Sequence, residues 1–135
     1  MKKNIFNIFV LVAISFLTVT IFVDNSEAFD NNEVNLLIKK VNKTWKVIDA
    51  TDSLKTSIKA KKGQKITWTA VGTDVYFQFM DDKLVGKFKN ALKDGKSISL
   101  NIGQNAKVGI NPYAVFCMAD LEFAEGNSPP VIIVE

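Results

Sequence analysis

From Thr44 onward, apolar residues recur at every second position. Trp45-Val47, Leu54-Thr56-Ile58-Ala60, Ile66-Trp68-Ala70, Val75-Phe77-Phe79 and Ile98-Leu100-Ile102 each alternate with largely polar neighbours. Successive side chains of a strand point to opposite faces, so this spacing predicts five half-buried strands. The residues between them suit turns, with Gly63, Gly72 and Gly95 supplying positions that tolerate positive φ. Two further strands are expected. Tyr113 to Ala119 is apolar on both faces and reads as central, and Val131 to Val134 is an apolar run fenced off by Pro129-Pro130.

Two segments break the period. Val34, Leu37, Ile38 and Val41 fall at i, i+3, i+4 and i+7 behind Asn31 and Asn32, which predicts an amphipathic helix over 31–43, or a segment running into the next strand. Between Met80 and Lys96, Asp82 can cap a short helix whose face carries Leu84, Val85, Phe88 and Leu92 and which Gly95 closes; an irregular crossover also fits. About seven short strands with turn signals between them describe an all-β, Greek-key β-sandwich. The expected organisation is a 29–43 N-terminal extension followed by the sandwich domain over 44–135.

Residues 1–28 have a different character. Lys2 and Lys3 precede an uncharged, mainly apolar run from Ile5 to Val23, and Ser26 and Ala28 stand at the −3 and −1 places before Phe29. This is the pattern of a secretory signal peptide, so the domain is expected to be periplasmic or secreted. The rival reading is an uncleaved anchor holding the domain on the exported side, because the run reaches the lower limit for crossing a bilayer. No cysteine lies near residue 28 to accept a lipid.

Composition then narrows the chemistry. The 135 residues include 17 lysines, no arginine, one cysteine and no histidine. Without imidazole there is no Ser or Cys triad and no usual metalloprotease set, and no GxGxxG or GxxxxGK(S/T) phosphate loop occurs in the chain, so no enzyme is expected. A net charge of +3 without arginine gives no case for nucleic acid. The charge is uneven: residues 29–96 carry 14 lysines against 8 acids, and residues 97–135 carry one against four. Solvated strand faces explain that asymmetry, with an anionic partner such as a phospholipid surface as the alternative.

Two stretches resemble the cupredoxins, small exported sandwiches that mostly carry type 1 copper. Ile58-Lys59-Ala60-Lys61-Lys62-Gly63-Gln64-Lys65-Ile66-Thr67-Trp68 is similar to the family's strand-turn-strand, and Pro112-Tyr113-Ala114-Val115-Phe116-Cys117 to the strand that ends at its copper-binding cysteine. The resemblance covers about residues 44–135. It implies a type 1 site, but that site needs two imidazoles and a thiolate, and only Cys117 exists. Val75 and Tyr76 stand where the resemblance implies a first histidine, and Met118-Ala119-Asp120-Leu121-Glu122 supplies none after Cys117. The expectation is therefore a copper-free member with no cofactor.

Three readings follow. The first is a non-enzymatic binding or interaction module, its partner an unidentified protein or small molecule, without stable membrane association unless the signal segment is retained. Its candidate surface is the loop bearing Glu122, Phe123, Glu125, Asn127 and Ser128, and an exposed Tyr76 or tryptophan would add a stacking platform. The second is a soft-metal protein holding Cu(I) between Cys117 and Met80. The third is a structural module presented from a membrane anchor. Asp120, Glu122 and Glu125 form no recognisable cation loop, and Asp81-Asp82 reads as turn and cap chemistry rather than a catalytic pair.

Overall fold

The computed structural model describes residues 33–125 and 129–135. The expected cleavage site, and Asn127 and Ser128 of the expected binding loop, lie outside the described residues. Among the described residues, ten strands form two sheets. They are β1 (Glu33–Val41), β2 (Thr44–Asp49), β3 (Ser57–Ala60), β4 (Lys65–Ala70), β5 (Val75–Phe79), β6 (Lys89–Leu92), β7 (Ser97–Asn101), β8 (Gly109–Cys117), β9 (Glu122–Phe123) and β10 (Val131–Val134). One sheet has the order β2-β1-β4-β7; the other has six strands, ordered β3-β10-β8-β5-β6 with β9 beside β8. This is the β-sandwich that the period-two spacing predicts.

The chain crosses between sheets at β2–β3, β3–β4, β4–β5, β6–β7 and β7–β8, so consecutive strands supply opposite halves of one core. The inward residues Leu36, Ile38, Val47, Ile66, Trp68, Val75, Phe77, Phe79, Tyr113, Val115 and Ile132 are buried within it. Trp68 stands at its centre, edge-on to Phe77, Phe79 and Tyr113 at centroid distances of 5.7, 6.2 and 6.1 Å. Its indole N–H donates to the Tyr113 hydroxyl at 3.2 Å, so the two polar atoms of the cluster satisfy each other. The buried cluster is drawn from residues 36–134, and a domain of this size closes a core without a disulfide or metal.

Two expectations are corrected. Residues 33–41 form a strand rather than a helix: β1 pairs antiparallel with β2 and parallel with β4, burying Leu36 and Ile38 while Val34, Leu37 and Val41 stay half-buried. The segment set apart as an extension thus supplies an inner strand of the four-stranded sheet. Residues 80–96 hold no α-helix and follow the irregular-crossover alternative. A single 3-10 turn over Asp82–Leu84 is capped by Asp81, whose carboxylate accepts from the Lys83 amide at 2.9 Å, and β6 follows. Leu84, Val85 and Leu92 are buried but Phe88, which precedes β6 at the end of the sandwich, is exposed. Likewise β3 begins at Ser57, and Leu54 is 90% exposed.

The two sheets are stitched along one edge. The Glu125 amide donates to the Trp45 carbonyl at 2.8 Å and its carbonyl accepts from the Val47 amide at 3.1 Å, joining the end of β9 to β2. At one end of the sandwich, the 3-10 turn is seated on the loop after β7. The Gly103 amide donates to the Leu84 carbonyl at 2.8 Å, and a Cβ at Gly103 would stand 2.1 Å from the Lys83 carbonyl oxygen.

Candidate functional site

Cys117 is the last residue of β8 and faces inward, fully buried, opposite Val75 of β5. Burial pushes its thiol up to about 11, and the nearby Asp120 and Glu122 carboxylates add to the rise. A thiol so placed is neutral at physiological pH and a poor nucleophile. Met118, the next residue, turns outward.

The expected Cys117–Met80 pair does not form. β5 and β8 run antiparallel, with Val75 opposite Cys117 and Phe79 opposite Tyr113. Met80 therefore falls beyond the far end of that register, about 17 Å along the strand from Cys117 at ~3.4 Å per residue. It is also exposed on the opposite face of the sheet from the inward thiol. Neither a type 1 copper set nor a Cys–Met pair is assembled from these residues.

The acids after Cys117 are occupied separately. Asp120 accepts from Lys40 Nζ at 2.5 Å and from Trp45 Nε1 at 2.6 Å, which holds its carboxyl below the usual carboxylate range. Trp45 is thereby clipped against the sandwich edge, with the Lys40 ammonium 5.6 Å from its ring centroid. Glu125 is engaged through its backbone. Among the described residues, no three His, Cys, Asp or Glu side chains gather to hold a metal ion.

The outward faces of the two sheets differ. On the β4–β7 side the outward face of the four-stranded sheet is polar, with Thr67 and Ser99 hydroxyls 2.6 Å apart, Thr69 and Ser97 2.7 Å apart and Thr67 also donating to Glu33 at 2.7 Å, whereas Leu37, Val41 and Ile48 occupy it at β1 and β2. On the six-stranded sheet, alternation aims Tyr76, Gln78, Ala91, Ala114, Phe116 and Phe123 outward. An antiparallel sheet with one packed face presents mainly polar residues on the other, so an apolar outer face is informative.

The geometry follows from register. Tyr76 lies between Ala91 and Phe116 on neighbouring strands, Gln78 lies opposite Ala114, and Phe116 lies opposite Phe123. The Phe116 and Phe123 rings meet edge-on at 5.1 Å. Ala91 and Ala114 put only methyl groups on this face, which leaves a groove of about 430 Å³ beside the aromatic wall. Lys89 and the Gln78 amide supply its polar groups. Tyr76 is 50% exposed and Phe123 63%.

Of the residues expected in a binding loop, Phe123 joins this groove. Glu122 stands opposite Cys117 on β9, and Glu125 belongs to the stitch to β2. The sequence reading named Tyr76 only conditionally. Gln78 shares the parity of Tyr76 on β5, whereas the place of Lys89, Ala91, Ala114 and Phe116 on this face depends on which strands neighbour β5.

No family model matches the chain, and no curated protein matches it. Solved structures of amicyanin, a cupredoxin, do match. A reduced Cu(I) form of a proline variant at pH 4 has a TM-score of 0.45 and 15% identity over 76% of this chain and 82% of its own. An oxidised proline variant has a TM-score of 0.45 and 16% identity over 77% and 83%. The likeness is one of fold, and the copper belongs to amicyanin.

Proposed function

We propose that this chain is an exported, non-enzymatic binding module whose contact surface is the aromatic groove on the outer face of the six-stranded sheet. The observation that carries the reading is the exposure of Tyr76 and Phe123 beside the shallow floor at Ala91 and Ala114. Leaving two large aromatics wet forgoes burial that such side chains otherwise gain, and surfaces of this kind are typical of recognition sites. The groove volume lies within the range of small-ligand and side-chain sites, and its few polar groups at Gln78 and Lys89 can orient what the aromatics hold. The leader-like residues 1–28 support export. The absence of histidine and the neutral, buried Cys117 support binding over catalysis.

Fragment screening by amide chemical-shift mapping on residues 29–135 tests the proposal. Hits are expected to perturb the amides of Tyr76, Gln78, Ala91, Phe116 and Phe123, and Tyr76→Ala is expected to remove them while leaving the rest of the spectrum intact. Hits scattered over the surface, or none at all, would overturn it.

A further inference from the structure

We propose that a second surface, the end of the sandwich at which β1 begins, docks reversibly on an anionic lipid bilayer. Several elements meet there. Glu33 opens β1 opposite Lys65, the first residue of β4, and Lys65 lies opposite Asn101, the last of β7. The Gly63 amide donates to the Ile102 carbonyl, the Gly103 amide to the Leu84 carbonyl and the Phe79 amide to the Phe88 carbonyl. Gly109, the start of β8, lies opposite Val134 of β10. The turn after β3, the loop after β7, the segment from Met80 to Phe88 and the entry into β8 are therefore neighbours.

Two features coincide on this end. Met80, Phe88, Val108 and Ile110 are all exposed, by 54–67%, and Met80 and Ile110 share a depression of about 240 Å³ with Lys107. Lys62, Lys83, Lys87, Lys89 and Lys107 are exposed around them and form no salt bridge among the described residues, while Lys61 adds to the field that holds the Glu135 carboxyl low. The nearby Glu33 and Glu135 are already held by Lys65 at 2.9 Å and Lys59 at 2.8 Å. Asp81 and Asp82 are the carboxylates that stand between Met80 and Lys83, against five lysines outside any salt bridge among the described residues.

Apolar side chains at strand ends ringed by long cationic stems suit an interface with headgroups above and acyl chain below, since lysine can lay its stem along apolar surface and keep its ammonium among phosphates. The chain supplies an independent reason for choosing a bilayer. The apolar run Ile5 to Val23 joins the domain at this same end, with residues 24–32 between them. Nine residues reach at most about 30 Å, so while that run is in a membrane this end is the one kept nearest the headgroups. The surface meets the aromatic groove only at Lys89, which the variants below leave in place, and the floor of the groove lies on the flank of the sheet.

Vesicle co-sedimentation of residues 29–135, which contain the closed core but not the apolar run, tests the inference. Binding is expected to vesicles containing phosphatidylglycerol and not to pure phosphatidylcholine, and is expected to weaken as salt rises. Lys83→Glu/Lys87→Glu/Lys107→Glu should reduce binding at least about tenfold, as expected when several charges leave an anionic surface. Val108→Ser/Ile110→Ser should also weaken it, with circular dichroism matching the parent. Lys43→Glu/Lys96→Glu, at the opposite end, should leave it unchanged. Equal binding to both vesicle types, equal loss in the Lys43/Lys96 control, or no binding to either vesicle would overturn the inference without touching the groove.

Discussion

Replacing Tyr113 by phenylalanine removes one oxygen from the centre of the core and nothing else. The ring is buried on β8 against Phe79 at 5.6 Å and Trp68 at 6.1 Å, and both contacts survive in the variant. What is lost is the acceptor for the Trp68 indole N–H, itself fully buried. An unpartnered buried donor costs about 1–3 kcal/mol. The 3.2 Å separation is at the long end for N–H···O, and phenylalanine no longer has a hydroxyl to desolvate, so the net loss is expected near the lower bound, about 1–1.5 kcal/mol. For a domain of roughly 100 residues, that lowers Tm by about 4–12 °C.

Urea or thermal unfolding followed by near-ultraviolet circular dichroism reads the change. A double-mutant cycle with Trp68→Phe isolates the bond, and the double variant should be less destabilised than the sum of the singles by about 1 kcal/mol. Burial also pushes the Tyr113 phenol well above the ordinary tyrosine value, so absorbance titration of the folded protein should show that ring un-ionised until the chain unfolds. A Tyr113→Phe variant as stable as the parent, with additive single losses, would refute the reasoning.

Gly103→Ala should lower stability by about 2–3 kcal/mol in urea unfolding, because its Cβ meets the Lys83 backbone oxygen and the 3-10 turn must shift to admit it. Cys117, raised to about 11, contributes stability that is present below the unfolded thiol value and lost as pH rises toward 11; Cys117→Ala should flatten the fall in Tm across that window. Its reaction with a thiol reagent near pH 8 should follow the unfolding rate, and rapid modification of the folded protein would contradict the burial. Asp120 is held low by Lys40 and then by Trp45, so its contribution is present above the unfolded carboxylate value and lost as pH falls through the lower folded one. Asp120→Ala should therefore weaken the acid dependence of Tm and change the Trp45 fluorescence, while Lys40→Ala leaves the indole hydrogen bond in place.

The strands were legible where one face alone is buried. In β4 and β5, Ile66, Trp68, Ala70, Val75, Phe77 and Phe79 alternate because their neighbours meet water or the outer groove. β1 was misread for a physical reason. It is paired on both edges and partly covered on its outer face, so Leu37 and Val41 are half-buried together with Val34, and the pattern takes on helical spacing. Backbone pairing with β2 and β4 outweighs a spacing that carries weak intrinsic preference. The aromatic groove was half legible: parity put Tyr76 and Gln78 on one face, but no local pattern reveals that β8 and β9 bring Phe116 and Phe123 beside them. The missing copper set needed only a count of histidines.

The placement of β10 governs when the molecule can become itself. Val131–Val134 lie between β3 and β8, parallel to residues 57–60 and antiparallel to residues 109–112. A chain made or delivered from its N-terminus holds β3 without a partner on that side until nearly all of it has emerged. Loop closure over such a separation is slow, and unpaired edges persist meanwhile. The sandwich locks only after β10 has arrived, and removing residues 131–135, which takes the buried Ile132 and Val134 out of the core, should therefore leave a chain that fails to fold.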